Sequence, residues 1–357
     1  MSASSRLTWG KPTGGQGVYT NALTRHLARR GVEATVFPGV PPLTNGRGQL
    51  IPGEIVVSIM VRVALKDWAR RLRLDLVHVQ SGPGGVTLLE DPEIPVVCTA
   101  HHLYSQQHRY LGRKTVHRLL MEMEKKSLQI SKKVIAVSES TRTELRRSYL
   151  IEPEKIETIH PGVDPQYSEP AQVPELRDSV LFVGRIGQRK GIADLAQAFR
   201  KLKNNVPDAK LYVIGRSSLW PTSRRLLREL TSIHGVHWLG RVSRRDLVHW
   251  YHRAEVLVLP SLFEGLGLVS LEAMATGTPI VGTRVPGTVD AVQHGITGLL
   301  AEPHDPSDLA RCLTRVLQDE DLRRNMGREA KRRAKARFNW QECTTKTMKV
   351  YEAAAAR

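Results

Sequence analysis

The chain has 357 residues, 41% hydrophobic and 25% charged, enough for two domains that each bury a core. No stretch has the apolar length of a membrane span or the charged-then-apolar pattern of a secretory signal, which implies a soluble, intracellular protein. The net charge of +18 attracts phosphorylated ligands, anionic lipid or nucleic acid, but it is spread evenly: 23 basic against 15 acidic residues up to position 165, and 30 against 20 beyond.

No basic tail therefore marks a nucleic-acid binder, and runs such as "ARRLRL" (69–74) and "KRRAKAR" (331–337) are the charged faces of solvated helices. Cys98, Cys312 and Cys343 lie far apart without a C-x-x-C pair, so they predict reduced thiols and neither a disulfide framework nor a zinc site.

In chain order, strand-like runs alternate with helix-like ones. The first half has candidates at 34–38, 75–80, 95–102, 133–139 and 155–160. The second has them at 179–186, 209–215, 236–242, 256–262, 278–285 and 297–302. Alternation of this kind predicts parallel sheets covered by helices on both faces, laid out twice. Between the halves, "PGVDPQYSEPAQVPELRD" (161–178) has four prolines and no apolar period, so it reads as a connector. The expected division is a domain over 1–165, a linker over 166–178, a second domain over 179–339, and a last helix from Trp340. Helix starts are signalled by Ser243 with Asp246 three residues on, and by Asp305 followed by Pro306 and Asp308.

In an open parallel sheet, ligands bind beyond the carboxyl ends of the strands, where helix N-termini gather. Two stretches there carry chemistry. In "SLFEGLGLVSLEAMATGTPIV" (261–281) a strand ends near Ser261 and a helix starts near Leu268. Gly265 and Gly267 permit close backbone approach; Glu264 stands before the helix and Glu272 about a turn inside it. Those acids suit hydroxyls of a sugar and a ribose better than phosphate. In "FVGRIGQRKG" (182–191) the strand ends at Gly184, with Arg185 on the next loop and Lys190 at the following helix start. Fixed cations beside helix amides suit a diphosphate leaving group. Taken singly, the first motif matches a chance pair of glutamates and the second an ordinary surface loop.

Together these stretches resemble the retaining nucleotide-sugar glycosyltransferases of family GT4, which have the GT-B fold. The likeness covers nearly the whole chain and is strongest from Val180 to Pro303, taking in "AMATGTPIVGT", "VPGTVDAVQHGITGLL" and "HPGVD" (160–164). It implies two Rossmann-like α/β domains facing a cleft, with the last helix crossing back to the first domain. It also implies a hexosyltransferase that moves a sugar from a UDP- or GDP-type donor to a sugar, lipid-linked or small-molecule acceptor.

Position by position, the resemblance assigns Arg185 and Lys190 to the donor diphosphate, Glu272 to the ribose and Glu264 to the transferred sugar. Gly184, Gly265, Leu266, Gly267 and Leu268 line the same donor site, with Arg241 and Val242 near the base. In the first half, "TGGQGVYTNAL" (13–23) resembles the family's glycine-rich first loop, with Gly14 and Gly15 approaching donor or acceptor. "CTAHHLY" (98–104) places His101 beside the transferred sugar. Read without the family, a Gly-Gly before a helix is a tight turn and a strand-end histidine a structural residue.

Three features depart from the pattern. Asp290 stands where the family has glutamate, His102 where it has aspartate, and "MSASSRLTW" (1–9) is short and polar for an opening central strand. No Asp-x-Asp metal signature accompanies the donor loops, so the expectation is metal-independent transfer without a cofactor. The enzyme is expected in the cytoplasm, its positive surface drawn to the anionic inner face of the membrane. The competing expectation is an inactive glycosyltransferase-like scaffold that binds a nucleotide or a membrane.

Overall fold

The computed structural model describes residues 14–34, 36, 43–44, 50–51, 65, 67, 69–80, 93–112, 115–217 and 221–356. The chain divides into two compact units, one formed by Met1–Pro161 with Trp340–Arg357, the other by Gly162–Asn339.

In the second unit, six strands form one parallel sheet: β7 (Leu176–Val183), β8 (Lys210–Ile214), β9 (Val236–Gly240), β10 (Ala254–Leu259), β11 (Ile280–Thr283) and β12 (Gly298–Ala301). Their spatial order is β12-β11-β10-β7-β8-β9. Every residue of β10 and β11 is buried, as expected of a parallel strand covered on both faces. The helices Ile192–Asn205 and Pro306–Gln318 turn apolar stripes to this sheet. Leu195, Phe199 and Leu202 of the first share a core with Leu309, Leu313 and Val316 of the second and with Val180, Phe182 and Val258 of the strands.

Helix starts in this unit follow the sequence signals. Ser243 Oγ accepts from the Asp246 amide at 3.1 Å, and Asp305 Oδ1 accepts from Ser307 and Asp308 at 2.9 and 3.0 Å. Chain order reverses between β7 and β10: β8 and β9 extend to one side of β7, β11 and β12 to the far side of β10. A switch of this kind leaves a crevice between the loops that follow the two central strands.

In the first unit, β3 (Val77–Gln80), β4 (Val96–Ala100), β5 (Lys133–Ala136) and β6 (Ile156–Thr158) pair in parallel in that order. The two-residue segments β1 (Leu43–Thr44) and β2 (Leu50–Ile51) pair antiparallel. Helices Gly15–Ala28, Tyr104–Tyr110, Thr115–Ile130 and Glu139–Tyr149 belong to this unit, and the terminal helix Trp340–Ala355 groups with it. Trp340 is buried, its ring 5.6 Å from Tyr19 and stacked 5.6 Å from His26.

The proline-rich segment does not run free between units. Pro165–Tyr167 form a short 3-10 turn capped by Asp164, Tyr167 is buried against Tyr251, and β7 begins at Leu176, three residues before the expected strand. The opening stretch 1–9 lies outside the described residues. Of the strand expected at 34–38, only Ala34 and Val36 are described, and neither is in a strand.

Candidate functional site

The loops after β7 and β10 meet at the switch point, and two basic residues and one acid converge there. Lys190 closes a 3-10 turn over Gln188–Lys190 and is buried; Glu264 sits between β10 and the helix Leu268–Thr276 and is buried too. The Lys190 ammonium donates to Glu264 Oε1, Ser261 Oγ donates to the same oxygen at 2.6 Å, and Arg189 Nη1 donates to Oε2 at 3.0 Å. Burial works to raise the Glu264 pKa, but Arg189, Lys190 and Ser261 outweigh it and hold the carboxyl far below its usual range. Burial, with Arg189 adding to it, lowers the Lys190 pKa against the pull of Glu264.

Backbone packing locks this arrangement. The Leu262 amide donates to Arg189 O at 2.9 Å, and the Glu264 amide to Pro286 O at 3.0 Å. At Gly191, φ is +64° and an added Cβ would lie 1.8 Å from Pro260 O, so only glycine lets the two loops approach. At Gly287, φ is +81° and an added Cβ would lie 2.4 Å from Glu264 O.

Glu272 belongs to a second cluster on the same helix. Tyr251 Oη donates to its Oε2 at 2.8 Å, and the Tyr167 hydroxyl also bonds to it. Arg244, paired with Asp164 at 2.9 Å, lies with its guanidinium 6.0 Å from the Tyr167 ring centre. Burial pushes Glu272 up to about 7, against the two tyrosine hydroxyls and Arg244.

The remaining candidates of this unit divide. Gly184 follows β7 directly, and Gly267 caps the helix start, where an added Cβ would lie 3.7 Å from Glu264 Cγ. Gly265 and Leu266 are buried, Leu266 at 3% exposure, so that side chain serves the core; Leu268 is half-buried at the helix start. Arg185 is exposed on the loop after β7 and makes no ion pair among the described residues. Arg241 is exposed and Val242 half-buried, both beyond the end of the edge strand β9. Asp290 caps a short helix, its Oδ2 accepting from the Gly287 amide at 3.2 Å.

In the first unit, His101 follows β4 and Gln80 ends its neighbour β3. Burial, then His102 and His78, lower the His101 pKa to about 3, so the ring is neutral. His102 is half-buried beside it. Gly14, with φ +89°, and Gly15 begin the helix Gly15–Ala28 and are exposed.

Sequence reasoning missed Arg189, although "QRK" places it beside Lys190, and it missed Ser261, Tyr167 and Tyr251. The two tyrosines carried no signal, because each acts on Glu272 from a distant part of the chain; Ser261, three residues before Glu264, was within reach of a local reading. Among the described residues no group of three or more His, Cys, Asp or Glu side chains is arranged to hold a metal, and no helix is long and apolar enough to cross a membrane.

Comparison with known proteins places this architecture. The family described as glycosyl transferases group 1 matches residues 164–333, and glycosyltransferase family 4 matches residues 13–167. A D-inositol 3-phosphate glycosyltransferase from Arthrobacter sp. (strain FB24) is 31% identical over 96% of this chain and 90% of its own length. An MMP alpha-(1->4)-mannosyltransferase from Mycolicibacterium hassiacum is 27% identical over 96% of each chain. Among solved structures, sucrose-phosphate synthase from Thermosynechococcus elongatus superposes with a TM-score of 0.79 at 24% identity, covering 95% of this chain and 93% of its own. Anabaena HepE in complex with UDP-glucose does so at 0.73 and 18%, covering 97% and 98%. The two parallel α/β units are those of the GT-B fold. With a 31% identical relative spanning nearly the full length of both chains, this protein belongs to the group 1, family 4 glycosyltransferases.

Proposed function

We propose that this glycosyltransferase moves a hexosyl group from a nucleoside-diphosphate donor to an acceptor hydroxyl, with retention of anomeric configuration and without a metal ion. The observation that carries the reading is the buried meeting of Lys190, Arg189 and Glu264 at the reversal of strand order. Without donor, Glu264 neutralises Lys190. An arriving diphosphate offers the ammonium a second anion, and Arg185, exposed on the adjacent loop, adds another cation as charge develops on the leaving oxygen. Cations in these positions supply the charge that a divalent ion would otherwise bring.

Glu264 is held ionised and engaged on both oxygens, so it serves as an acceptor for a sugar hydroxyl and not as a general acid. Glu272, supported by Tyr251 and Tyr167, takes the ribose hydroxyls. The family resemblance carries Gly14, Gly15 and His101 over as residues for the donor and its sugar, and Arg241 and Val242 as neighbours of the base. The incoming hydroxyl attacks the anomeric carbon on the face that the diphosphate leaves, and a phosphate oxygen takes its proton. The bond to the acceptor forms as the bond to the phosphate breaks.

The relatives named for inositol 3-phosphate and the +18 surface favour an anionic acceptor, free or presented at an anionic membrane. The test is thermal unfolding against UDP-, GDP- and ADP-sugars, followed by transfer with the stabilising donor and assignment of the product anomer by NMR. Stabilisation by one donor class, transfer in the presence of EDTA and an axial-to-axial outcome support the reading. Absence of any donor shift, or an inverted product, overturns it.

A further inference from the structure

His101 is the last member of a chain of polar side chains that crosses two strands and reaches the terminal helix. Gln80 and Thr99 are register partners on β3 and β4. His101 Nε2 lies 2.7 Å from Gln80 Oε1, and Gln80 Nε2 lies 3.5 Å from His78 Nε2, at the long end of hydrogen-bond range. His78 Nε2 also lies 2.7 Å from Thr99 Oγ1, and His78 Nδ1 lies 2.6 Å from Tyr351 Oη on the helix Trp340–Ala355.

Proton directions follow from the amide. A carboxamide oxygen only accepts and its nitrogen only donates. With Oε1 toward His101, the His101 Nε2 must carry a hydrogen. With the amide nitrogen toward His78, the His78 Nε2 must accept, from Gln80 and from the Thr99 hydroxyl. His78 then carries its hydrogen on Nδ1 and donates it to Tyr351. Turning the Gln80 amide over would reverse every one of these bonds, so one torsion sets both rings.

We propose that Gln80 is a positioning residue that selects the Nε2–H tautomer of His101 and so makes Nδ1 the accepting nitrogen of that ring, with the His78–Tyr351 contact holding the amide in the required orientation. This rests on the reading of His101 as the residue beside the transferred sugar; there, His101 accepts a bond from a sugar hydroxyl through Nδ1. Among the described residues, the titratable groups against the ring include His102 beside it in the chain, His78 on β3 and Tyr19 on the helix Gly15–Ala28, whose ring meets it edge-on at 4.7 Å. None is an anion near neutral pH. Both imidazoles are held neutral by burial, His78 at about 4 and His101 at about 3, as the relay requires.

The experiment is ¹⁵N NMR of the full-length protein labelled at histidine, assigned with a His101→Gln sample and recorded from pH 5.5 to 8. The expected wild-type spectrum has His101 as a single Nε2–H tautomer that does not titrate in this range; an Nδ1–H ring overturns the proposal. In Gln80→Glu a carboxylate replaces the neutral acceptor, which raises the His101 midpoint by about 1–3 units from about 3, so this sample is followed down to about pH 3.5. The pH profile of turnover then acquires an acid limb absent from the wild type. A Gln80→Glu protein with unchanged His101 resonances and an unchanged profile also overturns it.

Tyr351→Phe removes the far end of the relay, and the second tautomer of His101 is expected to appear; an unchanged spectrum removes the terminal helix from the proposal. Gln80→Leu is expected to lower kcat about tenfold while the donor-induced melting shift stays within experimental error. If no nucleotide sugar stabilises the wild type, the partner assigned to His101 falls, while the spectra still decide the tautomer.

Discussion

Lys190 and Glu264 stand 74 residues apart in the chain, yet the ammonium of one is buried against the carboxylate of the other. The pairing exists because β7 and β10 are sheet neighbours although β8 and β9 separate them in sequence. Removing either partner leaves the other charge out of water beside Arg189.

Lys190→Ala should lower kcat/KM by about 10²–10³, the scale of losing one preorganised charge at a departing group. Arg189 and Ser261 still hold Glu264, so the stability loss should be about 1–3 kcal/mol, below that of orphaning a buried ion entirely. Steady-state kinetics and urea unfolding on the same preparation check both figures. Turnover equal to wild type would remove Lys190 from the reaction.

The Glu264 carboxyl titrates below its ordinary value of 4.5 when folded. Its contribution to stability is therefore fully present above about pH 4.5 and is lost as pH falls through the lower folded value. Unfolding free energies of wild type and Glu264→Gln should differ by a constant amount from pH 8 to 6 and converge only in acid. A gap that opens or closes around neutrality would contradict the ion pair.

Glu272 has the opposite sign. Its folded value, about 7, exceeds the ordinary 4.5, so the folded state binds more protons between those limits and stability falls as pH rises through them. Glu272→Gln, which cannot ionise, should gain on wild type from pH 5 to pH 8. Donor affinity of the wild type should strengthen over the same range as the carboxylate becomes a pure acceptor, which isothermal titration at three pH values measures.

Gly191→Ala should cost about 4 kcal/mol or more, because the new methyl collides with Pro260 O at a backbone angle that alanine rarely adopts. Little soluble folded protein is expected, and thermal unfolding of what remains gives the magnitude. A melting temperature near wild type would show that the two loops can separate.

Trp340→Ala should destabilise the first unit by about 3–5 kcal/mol, since a buried indole is lost from its contacts with Tyr19 and His26. Hydrogen exchange should rise first in the helix Gly15–Ala28. Uniform exchange across both units would argue against that placement.

Local pattern determined much of this protein. The buried runs of β4, β10 and β11, the caps at Ser243 and Asp305, and the limits of the helices near Leu268 and Trp340 were all legible, because hydrophobic period and capping depend on residues within one turn or strand. Glu264, Glu272 and Lys190 were legible as residues of the loops and helix starts that follow strands. What only tertiary structure decided was their company: Arg189 on Glu264, Tyr251 and Tyr167 on Glu272, and Tyr351 reaching His78 from the end of the chain. In a parallel sheet, neighbouring strands are joined through crossovers and strand order is set by long-range packing. No local spacing encodes which loop will face which, and the partners that set each charge came into view only once the sheet was assembled.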